Sequence, residues 1–144
     1  MSVVFFTDRD LGLQFPHALR TAGLTVERHT DHFPPACPDD VWLREVARRG
    51  WIAVTHDSRI RYKPNELAAV VRHKVKLRVL VGKAPYPTIA ESFVATLPQV
   101  HEFLRAHTPP FIGKVYRATP AELVRDPTAA GRVELCYPKT VANP

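Results

Sequence analysis

The sequence predicts an α/β domain built on a mainly parallel β-sheet. Three observations carry that prediction. Short apolar runs rich in β-branched residues alternate along the 144 residues with longer stretches whose apolar positions recur every three or four residues. Two of the runs, Val3-Val4-Phe5-Phe6 and Trp51-Ile52-Ala53-Val54, contain no polar residue, as strands covered on both faces must be. Both runs also end in the same way, at Thr7-Asp8 and at Thr55-His56-Asp57.

Taken in order, residues 3–6 form the first strand. Leu11, Phe15, Ala18, Leu19 and Ala22 then mark one face of a helix that Gly23 closes. Residues 24–28 are a second strand, and the proline-rich stretch 29–38 is a loop. Asp39 or Asp40 opens a helix carrying Trp42, Leu43, Val46 and Ala47. Acids at its start, Arg48-Arg49 in its last turn and Gly50 beyond agree with the helix dipole and with capping preferences.

Residues 51–56 are the third strand and 57–63 a polar, basic connection. Pro64 suits the first turn of a helix reaching residue 71, and 77–81 is the fourth strand. Thr88-Ile89-Ala90-Glu91 has the form of a capping box before a long amphipathic segment ending near residue 106, which Pro98 should kink or split. Residues 111–117 are a fifth strand. Thr119-Pro120-Ala121-Glu122 repeats the cap pattern for a short helix, and 133–137 is an edge strand. With right-handed crossovers, the loops after strands one, two and three open on one edge of the sheet. Ligands of open α/β sheets bind at that edge.

A chain of this length with 45% hydrophobic and 24% charged residues can bury a core as a single globular domain. No apolar run approaches the roughly 20 residues that span a bilayer, and no export signal is evident, so a cytoplasmic protein without membrane contact is expected. Cys37 and Cys136 have no metal-ligand spacing and fit a reducing compartment. A formal charge of +6 and a pI near 9.7 favour an anionic partner, nucleic acid foremost.

Asp8, Asp40 and Asp57 each follow an element that delivers them to the same edge, with Asp10 two residues past Asp8. Gathered carboxylates repel one another unless protons or a cation intervene. Hard divalent cations such as Mg²⁺ or Mn²⁺ suit oxygen ligands, and such an ion can activate water against a phosphodiester. Arg9, Arg59, Arg61 and Lys63 flank the acids and could hold RNA phosphates, while Tyr62 could stack on a base. His29-Thr30-Asp31-His32 offers ligand-type residues without a zinc spacing. Trp42 and Trp51 read as core.

Phe5-Phe6-Thr7-Asp8-Arg9-Asp10-Leu11-Gly12, Asp40-Val41-Trp42-Leu43 and Ala53-Val54-Thr55-His56-Asp57-Ser58-Arg59-Ile60-Arg61 together resemble a PIN-like domain. They are most similar to VapC-like toxins of toxin–antitoxin modules with an Asp…Asp-x-x-Trp-Leu…Thr-x-Asp layout. The resemblance implies a Rossmann-like three-layer α/β/α sandwich over 1–118, leaving 119–144 as a C-terminal extension with a short helix and an edge strand. It implies a Mg²⁺- or Mn²⁺-dependent endoribonuclease, an RNA substrate, a cognate antitoxin and a homodimer. It makes Asp8, Asp40 and Asp57 the metal-site and catalytic acids. The family's usual fourth acid is missing, since Ser58 and Arg59 follow Asp57, and Asp10 is the residue placed to compensate.

That departure leaves room for a catalytically inactive adaptor that binds RNA or an antitoxin. Asp8-Arg9-Asp10 after an apolar strand also resembles the haloacid-dehalogenase phosphatases. Their fold, however, needs a later lysine and a late acidic pair, and Asp39-Asp40 comes too early.

Overall fold

A computed structural model describes residues 3–57 and 63–138. Among these residues six strands form one sheet: β1 (Val4–Thr7), β2 (Thr25–Arg28), β3 (Ile52–Thr55), β4 (Lys76–Val81), β5 (Phe111–Tyr116) and β6 (Arg132–Tyr137). Their spatial order is β2-β1-β3-β4-β5-β6. The first five are parallel to their neighbours, and β6 runs antiparallel to β5. The expected α/β architecture with a mainly parallel sheet is therefore observed.

The helices are α1 (Gln14–Thr21), α2 (His29–His32), α3 (Asp39–Arg48), α4 (Pro64–His73), α5 (Tyr86–Ala95), α6 (Leu97–Ala106) and α7 (Pro120–Arg125). Adjacent residues of β1 show how they are layered. Phe5 points to one face of the sheet, where Phe15 and Leu19 of α1, Ile89 and Phe93 of α5 and Val100 of α6 cover it. Phe6 points to the other, against Trp42, Leu43 and Val46 of α3 and Ala69 and Val70 of α4. The result is a three-layer α/β/α sandwich. Fully burying each such side chain contributes about 1.5–3 kcal/mol. Edge-to-face contacts of Phe93 with Phe5 at 5.4 Å and Phe15 at 5.9 Å join α1 and α5 above β1.

One crossover departs from the expected hand. The steps β3→β4 and β4→β5 run in the same direction across the sheet, yet α4 covers one face and α5–α6 the other. The last crossover therefore has the opposite hand to those through α1, α3 and α4, against the strong general preference. Its consequence is local: α5 lies beside α1, where Tyr86 reaches the turn after β1.

Local details also differ from the expectations. The helix expected from residue 11 starts at Gln14, because Arg9–Leu11 form a 3₁₀ turn that Gly12 ends at φ 63°. Residues 29–32, expected as loop, make one helical turn. The long segment splits into α5 and α6 at the fully buried Thr96, with Pro98 in the first turn of α6. The capping box at Thr88 is not used, since α5 already begins at Tyr86. That of α7 forms, Thr119 Oγ1 accepting from the Glu122 amide at 3.2 Å and Glu122 Oε1 from the Thr119 amide at 3.0 Å.

Candidate functional site

Thr55 is the last residue of β3 and is completely buried. Its Oγ1 lies 3.0 Å from Asp8 Oδ2 and 3.1 Å from Asp10 Oδ2. A hydroxyl has one proton to donate, so two carboxylates share it. The same oxygen accepts the Asp57 amide at 3.2 Å. Thr55 thus joins the carboxylates of Asp8 and Asp10 on β1's turn to the backbone of Asp57 at the end of β3.

Backbone geometry fixes each of them. The Asp8 amide donates to Val54 O at 2.9 Å, continuing the β1–β3 ladder one residue past the strand. Asp8 Oδ1 accepts from the Arg9 amide at 2.7 Å and so caps the 3₁₀ turn. That turn is pinned from below by fully buried Leu11 and from the side by Tyr86, whose hydroxyl donates to Asp10 O at 2.6 Å. It bends Asp10 back towards β3, where the His56 amide donates to Asp10 Oδ2 at 3.1 Å. The His56 ring lies 2.7 Å from Gly82 O after β4, tying two strand ends together.

The electrostatics follow from this crowding. Burial raises the Asp8 carboxyl above its ordinary pKa, against the opposing bonds from Arg9 and Thr55. Asp10 is raised by burial first and then by the charge of Asp8. Asp10 is exposed as a residue, so water screens part of this repulsion.

Asp57 is held differently, with Lys63 Nζ 2.6 Å from its Oδ2. Lys63, expected to hold RNA phosphate, is thus paired with an acid of the site. Arg9 is exposed on the 3₁₀ turn and lines a hollow of about 150 Å³ with Asp8, Arg28 and His29. Arg59, Arg61 and Tyr62 lie outside the described residues.

Asp40 is not brought to this group. Its Oδ1 accepts from Arg72 Nη1 at 3.0 Å and lies 3.0 Å from His73 Nε2, and its side chain is 48% exposed. The neighbouring Asp39 lines a hollow with Asp40 but takes a different partner. It acts electrostatically on both Asp8 and His29, and its Oδ1 accepts the Trp42 indole N–H at 2.8 Å. An acid three residues before a buried helical Trp shares that Trp's face, a spacing that singles out Asp39.

Sequence reasoning also missed the depth of His29. It is 2% exposed, packed against Phe6, Phe33 and Trp42, and its Nδ1 has no hydrogen-bond partner among the described residues. Burial lowers its pKa, against the pull of Asp8 and Asp39.

The family model described as a PIN like domain matches residues 3–82, more than half of the chain. The chain belongs to the PIN-like domain family. The matched segment runs from β1 through β4 and contains Asp8, Asp10, Asp39, Thr55, Asp57 and Lys63. No curated protein and no solved structure matched the chain in the same comparisons. PIN-like domains are often nucleases. No helix among the described residues is long and apolar enough to cross a membrane.

The donor chemistry fits a hard divalent cation. Asp8 and Asp10 present carboxylate oxygens about one hydroxyl, and each carries a raised pKa that a positive ion would reverse. Among the described residues no group of three or more His, Cys, Asp or Glu side chains is placed to hold a metal ion, so Asp8 and Asp10 would be the protein's two ligands. With two carboxylates from the protein, the remaining ligands of a Mg²⁺ would be waters and substrate oxygens.

Proposed function

We propose that this PIN-like domain is a metal-dependent endoribonuclease that hydrolyses RNA phosphodiesters with Mg²⁺ or Mn²⁺. The observation that carries the reading is the sharing of one Thr55 hydroxyl by Asp8 and Asp10, two crowded carboxylates at the carboxyl edge of a parallel sheet. Asp8 and Asp10 would hold the ion, with Asp39 and Asp57 flanking them. When bound, the ion would polarise a phosphodiester oxygen and acidify a water.

The protein's own contribution is orientation. Thr55 and the His56 amide fix the carboxylate of Asp10, and the Arg9 amide fixes that of Asp8. The Arg9 side chain stands at the mouth, where it would hold a neighbouring phosphate. The excess of basic residues elsewhere would draw the RNA backbone towards this acidic point.

The biological role we propose with it is that of the toxin in a toxin–antitoxin pair, with a cognate antitoxin covering the site and a homodimer as the working assembly. The resemblance of the Asp8, Trp42-Leu43 and Thr55-His56-Asp57 segments to VapC-like toxins supports that role. A specific observation favours a second reading, an inactive adaptor that binds RNA or an antitoxin. Asp40 and Asp57 are each already paired with cations of the same chain.

An RNA cleavage assay with Mn²⁺ separates the two. Cleavage by the wild type that chelator and Asp10→Asn both abolish supports the nuclease. Binding of RNA without metal-dependent cleavage supports the adaptor. Growth arrest on expression, relieved by a co-expressed small partner, tests the toxin role.

A further inference from the structure

The hollow of about 150 Å³ beside Asp8 is made by the pairing of β1 with β2. Thr7 and Arg28 are register partners at the carboxyl ends of the two strands, so Arg28 stands level with the residue before Asp8. The 3₁₀ turn carries Arg9 to the same hollow, and buried His29 closes its inner end. The charge of Arg9 acts on His29, which sets its guanidinium on that side of the turn. The volume is well short of the roughly 300–1,000 Å³ that encloses a whole small ligand. It has the room of a single group, and two arginines line it.

Arg28 is held for such a use. Its Nε donates to Asp31 Oδ2 at 3.0 Å and its Nη2 to Asp31 Oδ1 at 2.8 Å, and the side chain is 24% exposed. Both bonds lie on one edge of the guanidinium, and Nη1 has no hydrogen-bond partner among the described residues. Asp8 forms the wall that the hollow shares with the carboxylate pair. Its oxygens are already engaged, Oδ1 by the Arg9 amide and Oδ2 by the Thr55 hydroxyl.

We propose that this hollow is the subsite for the RNA phosphate next to the one that is cut, held jointly by Arg9 and Arg28, with Asp31 positioning Arg28. The inference rests on the RNA-cleaving reading above and adds the side on which the strand runs, over the ends of β1 and β2. A chain with one phosphate at Asp8 and Asp10 must place the next one, and this is the basic hollow that adjoins Asp8. Guanidinium groups match phosphate oxygens in charge and in fork geometry, so the subsite grips the backbone without reading a base.

Fluorescence anisotropy of a labelled single-stranded RNA on the full-length protein tests this, in chelator and over a series of salt concentrations. Arg9→Gln and Arg28→Gln should each weaken binding about tenfold, the weight of one charge-assisted contact. The double variant should lower the slope of log affinity against log salt by about 0.7, the value for one single-strand phosphate, whereas two separate phosphates would lower it by about 1.4. Asp31→Asn removes a negative charge and should nevertheless weaken binding, because Arg28 loses its anchor. Arg105→Gln, an exposed arginine of α6 paired with Glu102, serves as the control and should leave the slope nearly unchanged. Circular dichroism confirms that each variant is folded.

Wild-type binding by Arg28→Gln, a slope change near 1.4 in the double variant, or tighter binding by Asp31→Asn would overturn the proposal. If the wild type cleaves RNA with Mn²⁺ while those results go against the hollow, only the subsite falls. If the binding results hold and no metal-dependent cleavage occurs, the nuclease reading falls and the hollow stands as the RNA grip of an adaptor. RNA that does not bind at all removes both.

Discussion

Thr55 and Asp10, 45 residues apart in the chain, meet at 3.1 Å where β3 ends. Thr55 has no exposed surface, so its hydroxyl serves only this group and the neighbouring backbone. The contact converts the end of a buried strand into a clamp on a 3₁₀ turn. It also keeps two carboxylates close, an arrangement that costs stability when both are ionised.

Replacing Thr55 by Val keeps the shape of the side chain and removes the clamp. Asp8, Asp10 and the Asp57 amide each lose a partner. The expected cost is about 1–3 kcal/mol of unfolding free energy in the presence of chelator. Mn²⁺ affinity should fall as well, since the carboxylates are no longer aligned. Urea unfolding and calorimetry check the two halves, and a fully stable variant with intact affinity would mean the clamp is dispensable.

Asp10→Asn should stabilise the metal-free protein. The amide oxygen can still accept from Thr55 and His56, while the repulsion from Asp8 disappears. The sign with pH is fixed by the raised pKa. An acid whose folded value lies above its unfolded one contributes stability below the unfolded value, here 3.8, and loses it as pH rises through the folded value. In chelator the wild type should therefore lose stability relative to Asp10→Asn as the pH climbs above about 4. Thermal unfolding of both proteins across pH measures the difference, and added Mn²⁺ should reverse it. Parallel curves would show that Asp10 is not under strain.

A second buried charge stands far from the acids. Arg78 of β4 has no exposed surface, and its guanidinium lies 4.3 Å from the Phe103 ring centroid and 4.8 Å from that of Phe111. Its only hydrogen bond among the described residues is from Nη2 to Val100 O at 3.4 Å, and Nε and Nη1 have no partner. Burial without a counter-charge pulls its pKa down. Arg78→Met should fill most of the same space without a buried charge and raise stability by about 1 kcal/mol or more. A loss of stability would show that the two aromatic faces outweigh the desolvation.

Gly113, opposite Arg78 on β5, provides a linked test. A Cβ there would come within 2.5 Å of Arg78 Nη1 and 3.2 Å of Phe103 Cζ. Gly113→Ala should cost about 1–3 kcal/mol in the wild type. It should cost less beside the slimmer Arg78→Met side chain, so the double-mutant cycle should be non-additive. Additive effects would place the conflict with Phe103 instead.

Much of the architecture is legible in the sequence because burial writes it there. β3 carries the apolar run Ile52-Ala53-Val54 and is buried at all four positions, and a parallel strand with helices on both faces requires that. The clamp is not legible, since a Thr at the end of a strand has many ordinary uses and only the third dimension brings Asp10 to it. The hand of the β4–β5 crossover is equally hidden, because apolar periodicity tells that α5 and α6 bury a face without telling which face of the sheet receives them. The pairing of Lys63 with Asp57 depends on the course of the chain between them, which composition does not specify. The difference between Asp39 and Asp40 is half legible: the spacing to Trp42 marks Asp39, but both acids suit a helix start equally well.

That difference yields the most direct test of the site. Asp39 keeps one oxygen on the Trp42 indole and acts on Asp8 and His29, whereas Asp40 is taken up by Arg72 and His73 away from the group. Asp39→Asn should weaken Mn²⁺ binding about 10-fold or more, as loss of a group that orients or supports metal ligands commonly does. Asp40→Asn should change it less than about twofold, its salt bridge being solvent-exposed and of small energetic weight. Freeing Asp39 from its anchor with Trp42→Phe should fall between the two, since a ring 5.5 Å from Phe6 is retained while the indole N–H and part of the buried volume are lost. Calorimetry on the three variants ranks them, and an Asp40 effect equal to that of Asp39 would mean that α3 presents both acids to the metal.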